Sequence, residues 1–252
     1  MRNIPEVGFV NFAVRAPVTT GEVRRVHESR DMKVTITKNG PYLVEGSVPL
    51  ATQTITTNAE GESVTWLEGE PIDARSSYAL CRCGQSASKP FCDGTHQRKG
   101  FDGTETASRA PYLDDAQRQS GPTLDLTDNE SLCAFARFCD PAGQIWNLVE
   151  EEGEQAASLT AREAGLCPSG RLVAWDRTTN VAIEPHFDPS IGLIEDPKVG
   201  VSGPIWVRGG IAIESSDGTS YEVRNRVTLC RCGASSNKPF CDGTHASIGF
   251  KA

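Results

Sequence analysis

Cys81-Arg-Cys-Gly-Gln-Ser-Ala-Ser-Lys-Pro-Phe-Cys-Asp-Gly-Thr-His96 recurs as Cys230-Arg-Cys-Gly-Ala-Ser-Ser-Asn-Lys-Pro-Phe-Cys-Asp-Gly-Thr-His245, with three differences in sixteen positions. The likeness extends downstream to Gly100-Phe101 and Gly249-Phe250. Upstream, Gly40-Pro41 with Val44 and Gly46 match Gly203-Pro204 with Val207 and Gly209. Self-similarity on this scale marks a repeated module rather than an isolated loop. Strand signals precede the cysteines in each copy. Val34 and Ile36 alternate with polar residues, Asn39-Gly40 supplies a turn that tolerates positive φ, and Tyr42 to Val44 return as a partner strand. In the second copy Ile211 and Ile213 lead into Asp217-Gly218, followed by Tyr221, Val223 and Val227, so a hairpin is expected there too. The first copy carries a longer stretch before its cysteines, which predicts a surface insertion.

Both copies share the spacing C-x-C-x8-C-x3-H, three thiols and an imidazole of the kind that bind soft and borderline metals. Two thiolates one residue apart converge from a tight loop. A helix starting near Cys92 or Asp93 would put Cys92 and His96 on one face, and Cys241 with His245 likewise. The division expected is Cys81 and Cys83 on one iron, Cys92 and His96 on its neighbour. A closed zinc site also accepts Cys3His, but zinc knuckles use wider C-x2-4-C pairs and one ion would have to gather all four donors across the x8 loop. A disulfide framework leaves the repeated histidine unexplained.

The motif C-x-C-x2-S-x3-P-x-C-D-G-x-H resembles the CDGSH (NEET) iron-sulfur proteins, with Thr95 and Thr244 where the name-giving version has serine. The resemblance implies two redox-active [2Fe-2S] clusters, one on Cys81, Cys83, Cys92 and His96, the other on Cys230, Cys232, Cys241 and His245. It also implies an intramolecular pseudo-dimer, since single-motif members form homodimers with intertwined strands, and hydrogen bonds from Ser86 and Ser235 to cluster sulfur. Lys89 and Lys238 would offset cluster charge, and Asp93 and Asp242 would cap the ligand helix. A histidine in place of a fourth thiolate removes one negative charge, so such a cluster accepts an electron more readily than an all-cysteine one. It also couples redox to pH, because reduction favours a proton on the imidazole. Electron transfer and cluster transfer both follow from an exposed, replaceable histidine.

Between the repeats, Cys133, Cys139 and Cys167 are spaced C-x5-C-x27-C, the last opening Cys-Pro-Ser-Gly. This resembles the divergent single-cluster ferredoxin-like units, but a fourth cysteine is lacking. Thr127-Asp-Asn-Glu130 reads as a capping box opening a helix through Leu132, Phe135 and Ala136, and Thr160-x-x-Glu163 as another. On a helix continued to Cys139 the two cysteines would lie about 120° apart. Buried structural thiols are therefore preferred to a third cluster on Cys133, Cys139 and Cys167. The acidic run 150–152 reads as a solvated face, and His27 and His186 fall outside any ligand spacing.

The expected architecture is mainly β with short helices (α+β), two modules paired through β-hairpins plus a small central α/β unit. Its segments are an N-terminal stretch 1–31, the first module 32–107, a polar linker 108–122, the central ferredoxin-like unit 123–199 and the second module 200–252. The whole resembles bacterial tandem CDGSH proteins. A length of 252 residues and 38% hydrophobic content suit a soluble chain that need not rely on metal to fold. The net charge of -8 argues against nucleic acid or anionic membrane as partner. Residues 1–26 lack the apolar core of a signal peptide, and nine cysteines in a chain so read point to metal chemistry in the cytoplasm. The partners expected are redox or cluster-acceptor proteins, and the chain is expected to be monomeric because its modules can pair with each other. No phosphate loop or Ser-His-Asp set stands out, so no catalytic constellation is expected apart from the clusters. The alternatives are a structural zinc-binding interaction module and the iron-sulfur subunit of an oxidoreductase.

Overall fold

The computed structural model describes residues 32–252; the N-terminal stretch and His27 lie outside the described residues. The chain is mainly β with short helices, in three sheets. Strands β1 (Lys33–Ile36) and β2 (Tyr42–Glu45) form the expected hairpin about Asn39-Gly40, Val34 facing Val44. β5 (Ser77–Leu80) pairs with β2 on its other side and runs straight into Cys81.

The second module repeats this with β10 (Ser190–Asp196), β11 (Val201–Arg208) and β13 (Arg226–Leu229), which runs into Cys230. The boundary expected at 199/200 thus falls inside the β10–β11 hairpin. Ile211 and Ile213 do not open a regular hairpin. β12 (Ala212–Glu214) closes a tight turn through one bridge, Glu214 to Ser220, and otherwise pairs with the first module.

That pairing is reciprocal. β12 lies parallel to β1, Ile213 opposite Val34, while β3 (Leu50–Thr57) of the first module lies parallel to β10, Leu50 opposite Ile191. Each module lends one strand to the other's sheet, which gives the orders β12-β1-β2-β5 and β13-β11-β10-β3, the latter continued by one further strand of the first module. One shared core lies between the sheets. Val34, Ile36, Tyr42, Val44 and Leu80 of the first module pack with Ile191, Leu193, Ile205, Val207 and Leu229 of the second. Each such side chain removed from water contributes roughly 1.5–3 kcal/mol. The exchange therefore makes the modules one folding unit, an intramolecular pseudo-dimer.

The insertion of the first module is β4 (Ser63–Pro71), which pairs with β3 at the edge of the second sheet. It is not merely surface. Trp66 stacks on Trp206 and on Phe138 of the central unit, with ring centroids 4.7 and 4.8 Å apart, and its indole N–H donates to the Leu166 carbonyl.

The central unit is a four-stranded sheet, β6 (Gln117–Ser120), β7 (Leu124–Asp128), β8 (Leu172–Asp176) and β9 (Val181–Ile183). The segment expected as linker therefore contributes strand β6, preceded by the single turn α2 (Tyr112–Asp115), which follows α1 (Thr95–Arg98) of the first module. Helices α3 (Ile145–Leu148) and α4 (Glu154–Leu166) cover the sheet, burying Leu124, Leu126, Ile145, Val149 and Ala164. No helix begins at Thr127. That residue lies in β7, buried opposite Val173, and only a 3-10 turn, Glu130–Leu132, follows. Nor does Thr160 open a helix; α4 starts after Gly153, so Thr160 and Glu163 are buried mid-helix. No helix among the described residues is long and apolar enough to cross a membrane.

Candidate metal centres

In each module the last strand before the cysteines also retrieves the third one. Leu80 bridges to Phe91, with Cys81 N–H donating to Pro90 O (2.8 Å) and Cys92 N–H to Ala79 O (2.9 Å). Leu229 and Phe240 repeat the bridge, with Cys230 N–H on Pro239 O (2.8 Å) and Cys241 N–H on Thr228 O (2.9 Å). The x8 loop is thereby folded back on the strand end. The donors converge as two pairs per module. Cys81 and Cys83 sulfurs stand 3.8 Å apart, and Cys92 Sγ lies 3.3 Å from His96 Nδ1. In the second module the separations are 3.6 Å for Cys230 and Cys232, and 3.4 Å for Cys241 Sγ and His245 Nδ1.

The Cys–His pairing does not come from a helix begun at the cysteine. The helical turns α1 and α5 (Thr244–Ser247) start only after Gly94 and Gly243, whose left-handed φ of 81° and 85° reverses the chain between the two donors. The Asp93 and Asp242 carboxylates hold that turn, each accepting from the Thr N–H two residues on and from the opposite side of the loop. Hydrogen bonds from Ala87 and Thr95 keep Asp93 well below the usual carboxylate range, and Asp242, in spite of its burial, is lowered to about 2 by Thr244 and Ser236. Ser86 and Ser235 are engaged by the loop itself. Each donates to a loop carbonyl, Phe91 O and Phe240 O at 2.7 Å, because the returning backbone comes within reach first. Lys89 and Lys238 likewise sit on the carbonyls of Ser86 and Ser235.

These donors fit a cationic iron centre. Burial raises the Cys83 thiol and raises Cys241 well above the ordinary value. Between Cys230 and Cys232, the shared hydrogen bond lowers the first to about 6 and raises the second, so thiolates here need cations among them. Burial, then Arg231, lowers His245 to about 4, which suits a neutral imidazole ligand. Backbone N–H groups of Gly94, Gly243 and Ala234 point at the sulfurs of Cys92, Cys241 and Cys232.

The two loops meet across the pseudo-dyad at Gly84 and Gly233. A Cβ on Gly84 would stand 2.4 Å from Cys232 O, and one on Gly233 2.6 Å from Cys83 O. The Tyr42 hydroxyl, from the first module, donates to Cys230 O at 2.8 Å.

Cys133, Cys139 and Cys167 also come together, lining one pocket with Phe135 and Arg171. The segment 133–138 is irregular, with positive φ at Phe135 (53°) and Arg137 (60°), so it wraps both cysteines round the pocket instead of spreading them on a helix. Cys167 enters from the end of α4. Burial raises the Cys139 thiol, with Asp140 and Cys167 adding to the effect. Arg171, on the pocket wall, is held charged against its burial by a bidentate contact to Asp128 at 2.6 and 2.8 Å. The preference for isolated structural thiols rested on the lack of a fourth cysteine, which stands, and on a helix that does not form. The three thiols and a cation line one cavity, although among the described residues they do not stand close enough together to form a metal-holding group. His186, exposed beside Asp188, takes no part.

Residues 39–97 and 202–246 match the family model described as iron-binding zinc finger, CDGSH type, and residues 119–177 match the divergent 4Fe-4S mono-cluster model. The chain is an iron-sulfur-binding protein. It is a tandem CDGSH protein with a central, divergent ferredoxin-like segment. No curated protein and no solved structure matches it.

Proposed function

We propose that this protein is an electron carrier with a [2Fe-2S] cluster in each repeat module, held by Cys81, Cys83, Cys92 and His96 and by Cys230, Cys232, Cys241 and His245. A third iron-sulfur centre on Cys133, Cys139 and Cys167 belongs to the same reading. The carrying observation is the pairing of donors, two sulfurs at 3.8 or 3.6 Å and a sulfur with Nδ1 at 3.3 or 3.4 Å, which supplies one pair to each of two irons. When bound, such a cluster takes up and returns single electrons.

The chain's own residues set the conditions for this. The N–H groups on Cys92, Cys232 and Cys241 stabilise thiolate charge. Nδ1 of each histidine faces its cysteine, which leaves Nε2 as the ring nitrogen outside the donor pair. The abutting loops at Gly84 and Gly233 bring the modules' sites side by side, and Arg226 anchors the central unit against the strand leading to Cys230 through Cys167 O (2.5 Å). Neighbouring centres in one rigid frame favour transfer within the chain.

The test is anaerobic purification with visible and EPR spectra and iron, sulfide and zinc analysis. About four irons and four sulfides per chain are expected from the repeat modules, with further iron and sulfide for the central site. A colourless protein with about two zincs and no sulfide would replace this reading with the structural zinc one.

A further inference from the structure

We infer that the two histidine-bearing sites are not equivalent: the first module's cluster is exchangeable with an acceptor protein, and the second module's is sealed by the central unit and retained. This rests on the reading that both modules hold clusters, and it extends that reading to which one can leave.

Corresponding positions make the comparison direct. Around Gly94, a Cβ would meet nothing within 4 Å among the described residues; around Gly243 it would meet Cys133 O at 3.3 Å and Phe135 Cβ at 3.4 Å. Phe135, held at positive φ, brings its Cβ against the second loop while the residue as a whole stays exposed. The donor pair beneath follows suit. His245 is 4% exposed and Cys241 2%, whereas His96 and Cys92 are both partly exposed; the seal covers this histidine-bearing pair alone, since Cys232 is partly exposed and Cys83 buried.

One contact of the seal comes from a position that differs between the repeats. Asn237 stands where the first motif has Ser88, and its amide donates to Ser131 O of the central unit at 2.8 Å. On another side, Thr106 and Ala107 N–H groups both donate to Lys238 O, at 2.8 and 2.9 Å, and the Thr106 hydroxyl donates to Ser236 O. Arg137, from the cysteine loop of the central unit, pairs with Asp196 at the end of β10, whose charge reaches His245.

Exchange at the first site is ligand substitution, with no change of oxidation state. His96 gives up its iron to an incoming thiolate, and three further acceptor thiols replace Cys92, Cys81 and Cys83. Each proton lost by those three incoming thiols is taken by one of the departing cysteinates, and the two irons and two sulfides move together. His96 is the accessible point of attack; reaching His245 requires the central unit to open first.

The experiment uses full-length holoprotein labelled with 15N-histidine, mixed anaerobically with an excess of an apo all-cysteine [2Fe-2S] ferredoxin. Samples are stopped at intervals, reduced, and read by pulsed EPR for the nitrogen-coupled signal that only a histidine-ligated cluster gives. Half of that signal should decay about tenfold or more faster than the rest, since local opening by even 1.4 kcal/mol has that effect. His96→Cys should leave only the slow decay and His245→Cys only the fast one. Asn237→Ser, which gives the second loop the residue of the first, should speed the slow half. Equal decay in the two histidine variants, the reverse order, or an unaltered slow half in Asn237→Ser would overturn the inference. A starting protein with iron and sulfide but no nitrogen-coupled signal would overturn the ligand assignment beneath it.

Discussion

Replacing Arg226 with alanine would remove a guanidinium, itself 1% exposed, that joins three parts of the molecule. From β13 it donates to both carboxylate oxygens of Glu184 (2.8 and 3.0 Å) and to the carbonyls of Ala164, Cys167 (2.5 Å) and Leu172 (3.1 Å). The variant would leave a largely buried carboxylate with Asn225 as its remaining hydrogen-bond donor and three carbonyls short of a donor. Removing one partner of a buried pair costs about 3–5 kcal/mol. Glu184 retains 25% exposure, which places the expected loss near the lower end, about 3 kcal/mol. Native-state hydrogen exchange suits the question, because the loss should fall on the central unit: amides of α4 and β8 should exchange about a hundredfold faster, with less change in β1 and β2. Arg226→Ala/Glu184→Gln should recover part of the loss by removing the stranded charge.

The pH dependence has a definite sign. Burial pushes the Glu184 carboxyl up but Arg226 outweighs it, so its folded pKa lies below the ordinary value. The pair's contribution is therefore present at neutral pH and lost as pH falls through that folded pKa. In Arg226→Ala only Asn225 and Arg224 are left to oppose burial, so Glu184 is held less low and the difference between wild type and variant should shrink in acid. Exchange in α4 and β8 altered less than about fivefold at neutral pH would refute the reasoning.

His96→Cys and His245→Cys should each lower the potential of the altered cluster, on the order of 100 mV for the added thiolate charge, as protein-film voltammetry would measure. Gly84→Ala places a methyl group 2.4 Å from Cys232 O at a φ of +73°, and should cost roughly 1–3 kcal/mol and reduce iron loading in both modules, read by iron analysis. Glu163, 3% exposed in α4 and with Oε2 unpartnered, is raised by burial from 4.5 to about 8. Its folded form thus binds the extra proton between these values, and stability falls as pH rises through them. Glu163→Gln should stabilise by up to about 3 kcal/mol at pH 7, less what the unpartnered amide costs, and by little at pH 5, in chemical denaturation at the two pH values.

The legible parts of this fold were those carried by local pattern. β1 and β2 alternate apolar and polar residues about Asn39-Gly40, and the eight module donors stand out because the motif occurs twice. β10 escaped notice because Ser190–Asp196, buried along most of its length, has no period-2 alternation and little likeness to its counterpart β1. The exchange of β3 and β12 is a matter of which edge each strand finds, and periodicity does not specify a partner. The central loop misled for a physical reason as well. Leu132 and Ala136 are spaced as on one face of a helix, yet they are apolar because they dock on separate surfaces, Leu132 with Tyr112 and Val173, Ala136 with Ile55 and Trp206. Tertiary contact imitated amphipathic periodicity. Cys167, opening Cys-Pro-Ser-Gly, is the local signal that groups the three cysteines.

Two identical subunits that exchanged strands in this way would have equivalent sites, because a two-fold axis imposes the same surroundings on both. A single chain is free of that constraint. Here the paired loops still touch at equivalent glycines and the donor pairs keep nearly the same separations, so the site geometry has stayed with the repeat. The departures lie at its rim. Ser88 and Asn237 differ, Tyr42 reaches the second loop from a position occupied in the second module by Ile205, and the central unit between the modules lies against only one of the ligand turns. Since protein contacts around a cluster control solvent access and ligand release, changes confined to the rim alter what each site can exchange without altering what it binds. The asymmetry of His96 and His245 is thus a consequence of joining the two halves in one chain with the central unit between them.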